Sequence, residues 1–306
     1  MWRFLQIALA GSAAAATFQW DDVAPNHDLE YHDCYDGFQC ARLILPIDWK
    51  NESNEATVEI AITKLRAVVN DTDPSYGGPI FTNPGGPGGS GVSYILLVGQ
   101  ALRNIVDIPG KRHYDIISFD PRGIGRSTPT INCYSTGLLE RAASGLETHG
   151  NGPLDSSIAA LQYGLALTDA ESRRCAAANG DFLSYVGTSN VARDMVAMVD
   201  KIDEGWRKSL GESAQMKDGE EKQSRLELRS TIEDNRNHDV PRLQYIGFSY
   251  GTILGNYFAS LFPERIGRII LDGVCNTDDY ANGAVSHISQ LVSQSKLTLS
   301  SIGVAD

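Results

Sequence analysis

Positive charge is scarce in this 306-residue chain. Its 26 lysines and arginines face 38 aspartates and glutamates, for a formal net charge of −12. A phosphate backbone or an anionic bilayer would be repelled overall, so neither nucleic acid nor membrane is an expected partner. Long apolar runs are missing too. The stretch from Phe4 to Ala10 is too short, and its continuation too alanine-rich, to span a bilayer, and no other segment approaches that length. Internal repeats are absent. Cysteine is sparse and odd in number, at five, which leaves one thiol over if the others pair.

A hydrophobic share of 42% and a charged share of 21% are those of a globular protein. The N-terminus reads as a secretory signal over residues 1–16: Arg3 is a short basic region, Phe4 to Ala10 an apolar core, and Ala14-Ala15-Ala16 a small-residue cleavage site. Two sequons, at Asn51 and Asn70, are compatible with glycosylation on that route. The cysteines fit an oxidising compartment. Cys34 and Cys40 bracket a short loop, Cys133 and Cys175 are the candidate pair for a longer one, and Cys275 is left unpaired.

Strand-like runs recur along the chain, at 41–49, 56–67, Pro79–Thr82, Tyr114–Phe119, Leu243–Phe248 and Arg268–Leu271. Helical stretches at 91–106 and Asn190–Ile202 lie between them, which predicts an α/β fold with a mostly parallel sheet. Residues 128–186 interrupt this rhythm. Residues 203–240 are densely charged, carry Gly205, Gly211 and Gly219 as breakers, and read as a solvated insertion, partly helical or disordered.

The most informative segment runs from Leu243 to Thr252. A β-branched and aromatic run enters Gly247-Phe248-Ser249-Tyr250-Gly251 and leaves as a helix. A sharp strand-to-helix turn of this kind presents a serine hydroxyl above the sheet as a nucleophile, and the helix start supplies free N–H groups for a developing oxyanion. Ser249 is therefore the candidate nucleophile. The loop from Asn83 to Gly91 follows a buried strand and precedes a helix. Its backbone can approach a substrate closely, so Gly86 is the expected first oxyanion donor and the N–H of Tyr250 the second. A phosphate loop is the competing reading. It lacks the Gly-Lys-Ser/Thr ending, and two prolines remove N–H groups that a phosphate would use. At Asp120-Pro121-Arg122-Gly123-Ile124-Gly125-Arg126-Ser127, a buried Asp–Arg pairing that shapes the loop is expected. Asp272 is the weaker candidate for a triad acid, since an Asp-Gly at a strand end more often only turns the chain. No cofactor and no metal site is called for.

These motifs stand in an order and spacing that resemble α/β-hydrolases of the prolyl and tripeptidyl aminopeptidase family. Asn83–Gly91, Asp120–Ser127, Gly247–Thr252 and Leu271–Val274 carry the resemblance. Cys34 to Ala41, Leu45-Pro46 with Asp48-Trp49, and Thr188 to Asp194 look like its secreted tripeptidyl-aminopeptidase branch. It covers residues from about 30 to 280 and implies an α/β-hydrolase core over 17–276, with the start of a cap domain over 277–306. It also implies a secreted serine hydrolase acting on a peptide or small acyl substrate, with release of short N-terminal units.

In this fold the triad runs Ser, then Asp or Glu, then His. After Ser249 the sequence holds a single histidine, His287, on a stretch that reads as a cap helix; His27, His32, His113, His149 and His238 precede the serine in loop or surface contexts. The expectation is therefore an N-terminal portion of a hydrolase, inactive as given, lacking the last strands, most of the cap, and the acid and base. Two alternatives stay open: a secreted esterase acting on small-molecule esters, and a non-catalytic binding protein that keeps the fold.

Overall fold

The structure, a computed structural model, describes residues 18–134, 137–150, 152–215 and 240–282. Seven strands form one sheet: His32–Asp33 (β1), Phe38–Pro46 (β2), Thr57–Leu65 (β3), Tyr76–Asn83 (β4), His113–Phe119 (β5), Leu243–Phe248 (β6) and Ile266–Asp272 (β7). Their order is β1-β2-β3-β5-β4-β6-β7. The β3 strand is antiparallel to both β2 and β5, and β1 is antiparallel to β2. From β5 through β4 and β6 to β7 every pairing is parallel. Five strands thus point one way, and their C-terminal ends share one rim of the sheet.

Alternation along the strands divides the core into two layers. Ile80, Ile116 and Ile246 face one side, where Ile95 and Leu102 of helix α1 (Gly91–Val106) close over them. Their strand neighbours Phe81, Ile117 and Tyr245 face the other side. There they meet Val191, Met195 and Met198 of α4 (Thr188–Gln215), and Leu254 and Phe258 of α5 (Tyr250–Leu261). The spacing of 95 and 102, and of 191, 195 and 198, puts each set on one helical face. Burying one such Leu, Ile or Phe side chain stabilises by about 1.5–3 kcal/mol. Ser90 caps α1, its side-chain oxygen accepting from the N–H of Ser93 at 3.0 Å.

Two further helices, α2 (Leu138–Gly150) and α3 (Ile158–Asn179), occupy the stretch that interrupts the strand rhythm. A Cys133–Cys175 disulfide ties the entry of that stretch to α3, and Cys34–Cys40 closes the loop between β1 and β2. A short helix, α6 (Thr277–Ala281), follows β7.

Helix α4 departs from the expectation of a helix ending near Ile202. It continues to Gln215, through Gly205 and Gly211. A glycine in a helix interior costs about 1 kcal/mol, and here the rest of the helix outweighs it. Lys201 pairs with both Asp28 and Glu204, Arg207 with Asp203, and Lys208 with Asp28. The remainder of the charged insertion, residues 1–16 where a signal is expected, His238, His287 and the expected cap beyond residue 282 lie outside the described residues.

Candidate functional site

Ser249 sits between β6 and α5 with φ 53° and ψ −122°. Among the described residues it is the non-glycine position with a left-handed φ. Such a conformation costs on the order of 1–3 kcal/mol and persists where surrounding structure over-determines it. The constraints are visible. The N–H of Ser249 donates to the carbonyl of Asp272 at 3.0 Å, and the carbonyl of Ser249 accepts from the hydroxyl of Thr252 at 2.6 Å. Thr252 in turn accepts from the N–H of Cys275 at 3.0 Å, locking the elbow to the end of β7. The buried Tyr245 hydroxyl donates to the Gly251 carbonyl at 2.8 Å, and burial raises its pKa well above the ordinary value, so it remains a neutral donor. A Cβ on Gly247 would meet the Gly251 carbonyl at 2.4 Å, which accounts for the glycine entering the turn.

The glycine-rich loop folds against this elbow. Asn83, buried at the end of β4, accepts the N–H of Gly85 at 2.9 Å and shapes the turn out of the strand. Gly85 (φ 92°) is the residue pressed onto the elbow: a Cβ there would lie 2.5 Å from the carbonyl oxygen of Phe248 and 2.7 Å from the nitrogen of Tyr250. Gly86 comes next, its φ of 117° turning the loop back so that an added Cβ would meet the backbone nitrogens of Gly88 and Gly89 at 2.8 Å. The structure thus brings Ser249, Tyr250 and Gly85 together at the C-terminal rim, with Gly86 next in the chain and turned towards Gly88 and Gly89. Nothing in the sequence singled out Gly85 above its neighbours; Asn83 immediately before Pro-Gly was the signal for the turn.

Asp120 and Arg122 do not pair with each other, contrary to the expectation. The Asp120 carboxylate accepts from Ser90 Oγ (2.7 Å), from the N–H of Val92 (3.0 Å) and from the N–H of Arg126 (2.7 Å), so it joins the start of α1 to its own loop. Arg122 instead meets Asp194 of α4 through Nε and Nη2, both at 2.6 Å, and donates to the carbonyls of Pro46 and Ile47. Trp49 Nε1 donates to the same carboxylate at 2.8 Å. Both charged side chains are fully buried. Burial pushes the Asp194 carboxyl upward, while the Arg122 and Trp49 hydrogen bonds pull it down. The sequence held all three residues in view but carried no sign that they meet, because their separations run to 72 and 145 positions.

Tyr250 is anchored from the same helix: its hydroxyl lies 2.8 Å from Thr188 Oγ1, and its ring contacts Tyr280 at 5.6 Å. Burial raises its pKa, which keeps it protonated. Beneath the glycine loop lies a cavity of ≈ 250 Å³, lined by Gly85, Pro87, Ile124, Ile131, Val191 and Tyr250 among others.

Asp272 is exposed at the end of β7, and its backbone rather than its carboxylate contacts the elbow. The Ser249 hydroxyl has no hydrogen-bond partner among the described residues. His113 opens β5 at the opposite end from the elbow and pairs with Asp107 at 2.8 Å. His32 lies on β1, at the far edge of the sheet from β6, roughly 25 Å away at about 4.8 Å per strand. His27 precedes β1 on that side, and His149 lies on α2. Asn51 and Asn70 are exposed loop residues, and Cys275 is a free thiol.

No family model matches the chain. In sequence it is 27% identical over 267 residues to a tripeptidyl aminopeptidase of Streptomyces lividans, covering 87% of this chain and 40% of that protein. It is 28% identical over 242 residues to serine protease Hip1 of Mycobacterium tuberculosis, covering 78% and 36%. A carboxylesterase B of the same organism is 30% identical over 159 residues, covering 51% and 28%. The chain therefore spans about two-fifths or less of the length of these relatives. A solved structure assigned to the α/β hydrolases, from Nostoc sp PCC 7120, is 9% identical with a TM-score of 0.34 and covers 83% of this chain and 50% of that one. The strand order, the parallel rim and the elbow make this an α/β-hydrolase fold, and its sequence relatives include peptidases and a carboxylesterase.

Proposed function

We propose that this chain carries the nucleophile and oxyanion half of a serine hydrolase that cleaves a peptide or related acyl bond. The observation that carries the reading is Ser249 held at φ 53° on the strand–helix turn, with the glycine loop packed against it. Ser249 Oγ attacks the substrate carbonyl carbon and its proton passes to a general base. Negative charge gathers on the carbonyl oxygen, facing the N–H groups of Gly86 and of Tyr250. The bond to the leaving group then breaks, the base returns the proton to that group, and water releases the acyl chain from Ser249. A serine hydroxyl alone is a weak nucleophile, so the reading requires an acid and a histidine base outside the described residues.

The peptidase assignment rests on the names of the tripeptidyl aminopeptidase and Hip1 relatives. Similarity to a carboxylesterase favours a small ester as the second reading. Two disulfides, the N-terminal signal pattern and the exposed sequons at Asn51 and Asn70 support a secreted, glycosylated protein. The test is turnover of tripeptidyl and aminoacyl amides beside aryl esters by protein purified from its native source, against a Ser249→Ala variant. Amide turnover that vanishes in the variant supports the peptidase. Turnover confined to esters moves the assignment to an esterase, and activity that survives Ser249→Ala removes this serine from the mechanism.

A further inference from the structure

The cavity beneath the glycine loop has walls of a particular chemistry. Pro87, Pro121, Ile124, Ile131, Val186 and Val191 supply apolar surface. Three polar side chains also reach it, Asn83, Arg122 and Tyr250; the Tyr250 hydroxyl meets Thr188, and the single charged group is already paired. Asn83 Oδ1 accepts from Gly85, and the Arg122 guanidinium is spent on Asp194 and on the carbonyls of Pro46 and Ile47. The cavity therefore presents no free charge to a ligand. Gly85 and Tyr250 belong to its wall and also flank Ser249, so the cavity adjoins the turn that carries the nucleophile. At ≈ 250 Å³ it exceeds the roughly 150 Å³ of an apolar cavity that holds benzene.

We infer that this cavity receives the neutral, branched or aromatic side chain on the acyl side of the scissile bond, and so selects leucyl- or phenylalanyl-type acyl groups over glycyl and aspartyl ones. The inference rests on the serine-hydrolase reading above. The leaving group is the other candidate occupant. Its proton comes from the general base, which is not among the described residues that line this cavity, whereas Gly85 and Tyr250 of the oxyanion segments are, so the leaving group departs elsewhere. An aspartyl side chain would bring a carboxylate into a space whose single cation is already paired.

The experiment uses protein from its native source, with labelling by a fluorophosphonate and the kcat/KM of matched glycyl, leucyl and aspartyl substrates. Leucyl is expected to exceed glycyl by roughly 10- to 100-fold, as apolar pockets discriminate on this scale, and aspartyl to fall below glycyl. Ile124→Trp, at a half-buried wall position, should collapse the leucyl-to-glycyl ratio towards one, and Ile131→Phe should do the same should the first variant fail to melt cooperatively. A ratio near one in the wild type, a ratio unchanged in a folded filled variant, or a preference for aspartyl overturns the inference while Ser249 still labels. Failure of Ser249 to label overturns the serine reading, and the pocket's role with it.

Discussion

Replacing Arg122 by Met removes a cation from a site with no solvent to take its place. Its side chain and that of Asp194 are both 0% exposed, so the variant leaves a buried carboxylate with one remaining donor, Trp49 Nε1 at 2.8 Å. It also strips the carbonyls of Pro46 and Ile47 of a charged donor. Breaking one side of a buried pair costs about 3–5 kcal/mol, against a total stability on the order of 5–15 kcal/mol. Far-UV circular dichroism during thermal and urea unfolding should show the melting temperature lowered by roughly 6–12 °C. The double variant Arg122→Met, Asp194→Leu removes both charges and should recover most of the loss, since a buried pair gives little net stability over an apolar replacement. Arg122→Met unfolding within about 1 kcal/mol of the parent would refute this account, because so small a cost is that of an exposed pair. A double variant no better than the single one would refute the attribution to the unpaired carboxylate.

Three further outcomes are expected. Ser249→Gly should abolish turnover yet raise unfolding stability by about 1 kcal/mol, because glycine adopts φ 53° without a Cβ penalty; a destabilised variant would show that the turn is unstrained. Gly85→Ala should lose fluorophosphonate labelling and at least about 1–3 kcal/mol of stability, as its methyl would lie 2.5 Å from a backbone oxygen; normal labelling would detach this loop from the elbow. Asp28→Asn should cause a small loss at neutral pH. The Lys201 and Lys208 hydrogen bonds hold the folded Asp28 pKa below the ordinary aspartate value of 3.8, so the stabilisation is present above that value and lost as pH falls through the folded pKa. An undiminished effect in 1 M salt would contradict an exposed pair.

The local parts of this fold are the ones the sequence declares. The runs of β2 and β3, the helical stretch of α1 and the Gly247–Ser249–Gly251 turn each rest on neighbours within a few positions, where periodicity and turn chemistry act. Contacts between distant segments left no such trace. An Asp–Arg pairing was expected within the Asp120–Ser127 turn, whereas Arg122 pairs with Asp194, 72 positions away. Likewise the Thr188–Tyr250 contact joins residues 62 positions apart. Gly205 and Gly211 misled because glycine's helix penalty is a small local cost, outweighed by the apolar face and ion pairs of the rest of α4. The two-residue β1 pairs with β2 through a register too short to show a pattern.

The most direct test of the central claim is fluorophosphonate labelling of the native protein, with mass spectrometry of its peptides. The account predicts one phosphonylated site, at Ser249, absent from Ser249→Ala; a folded protein that stays unlabelled, or carries the adduct on another serine, would contradict it.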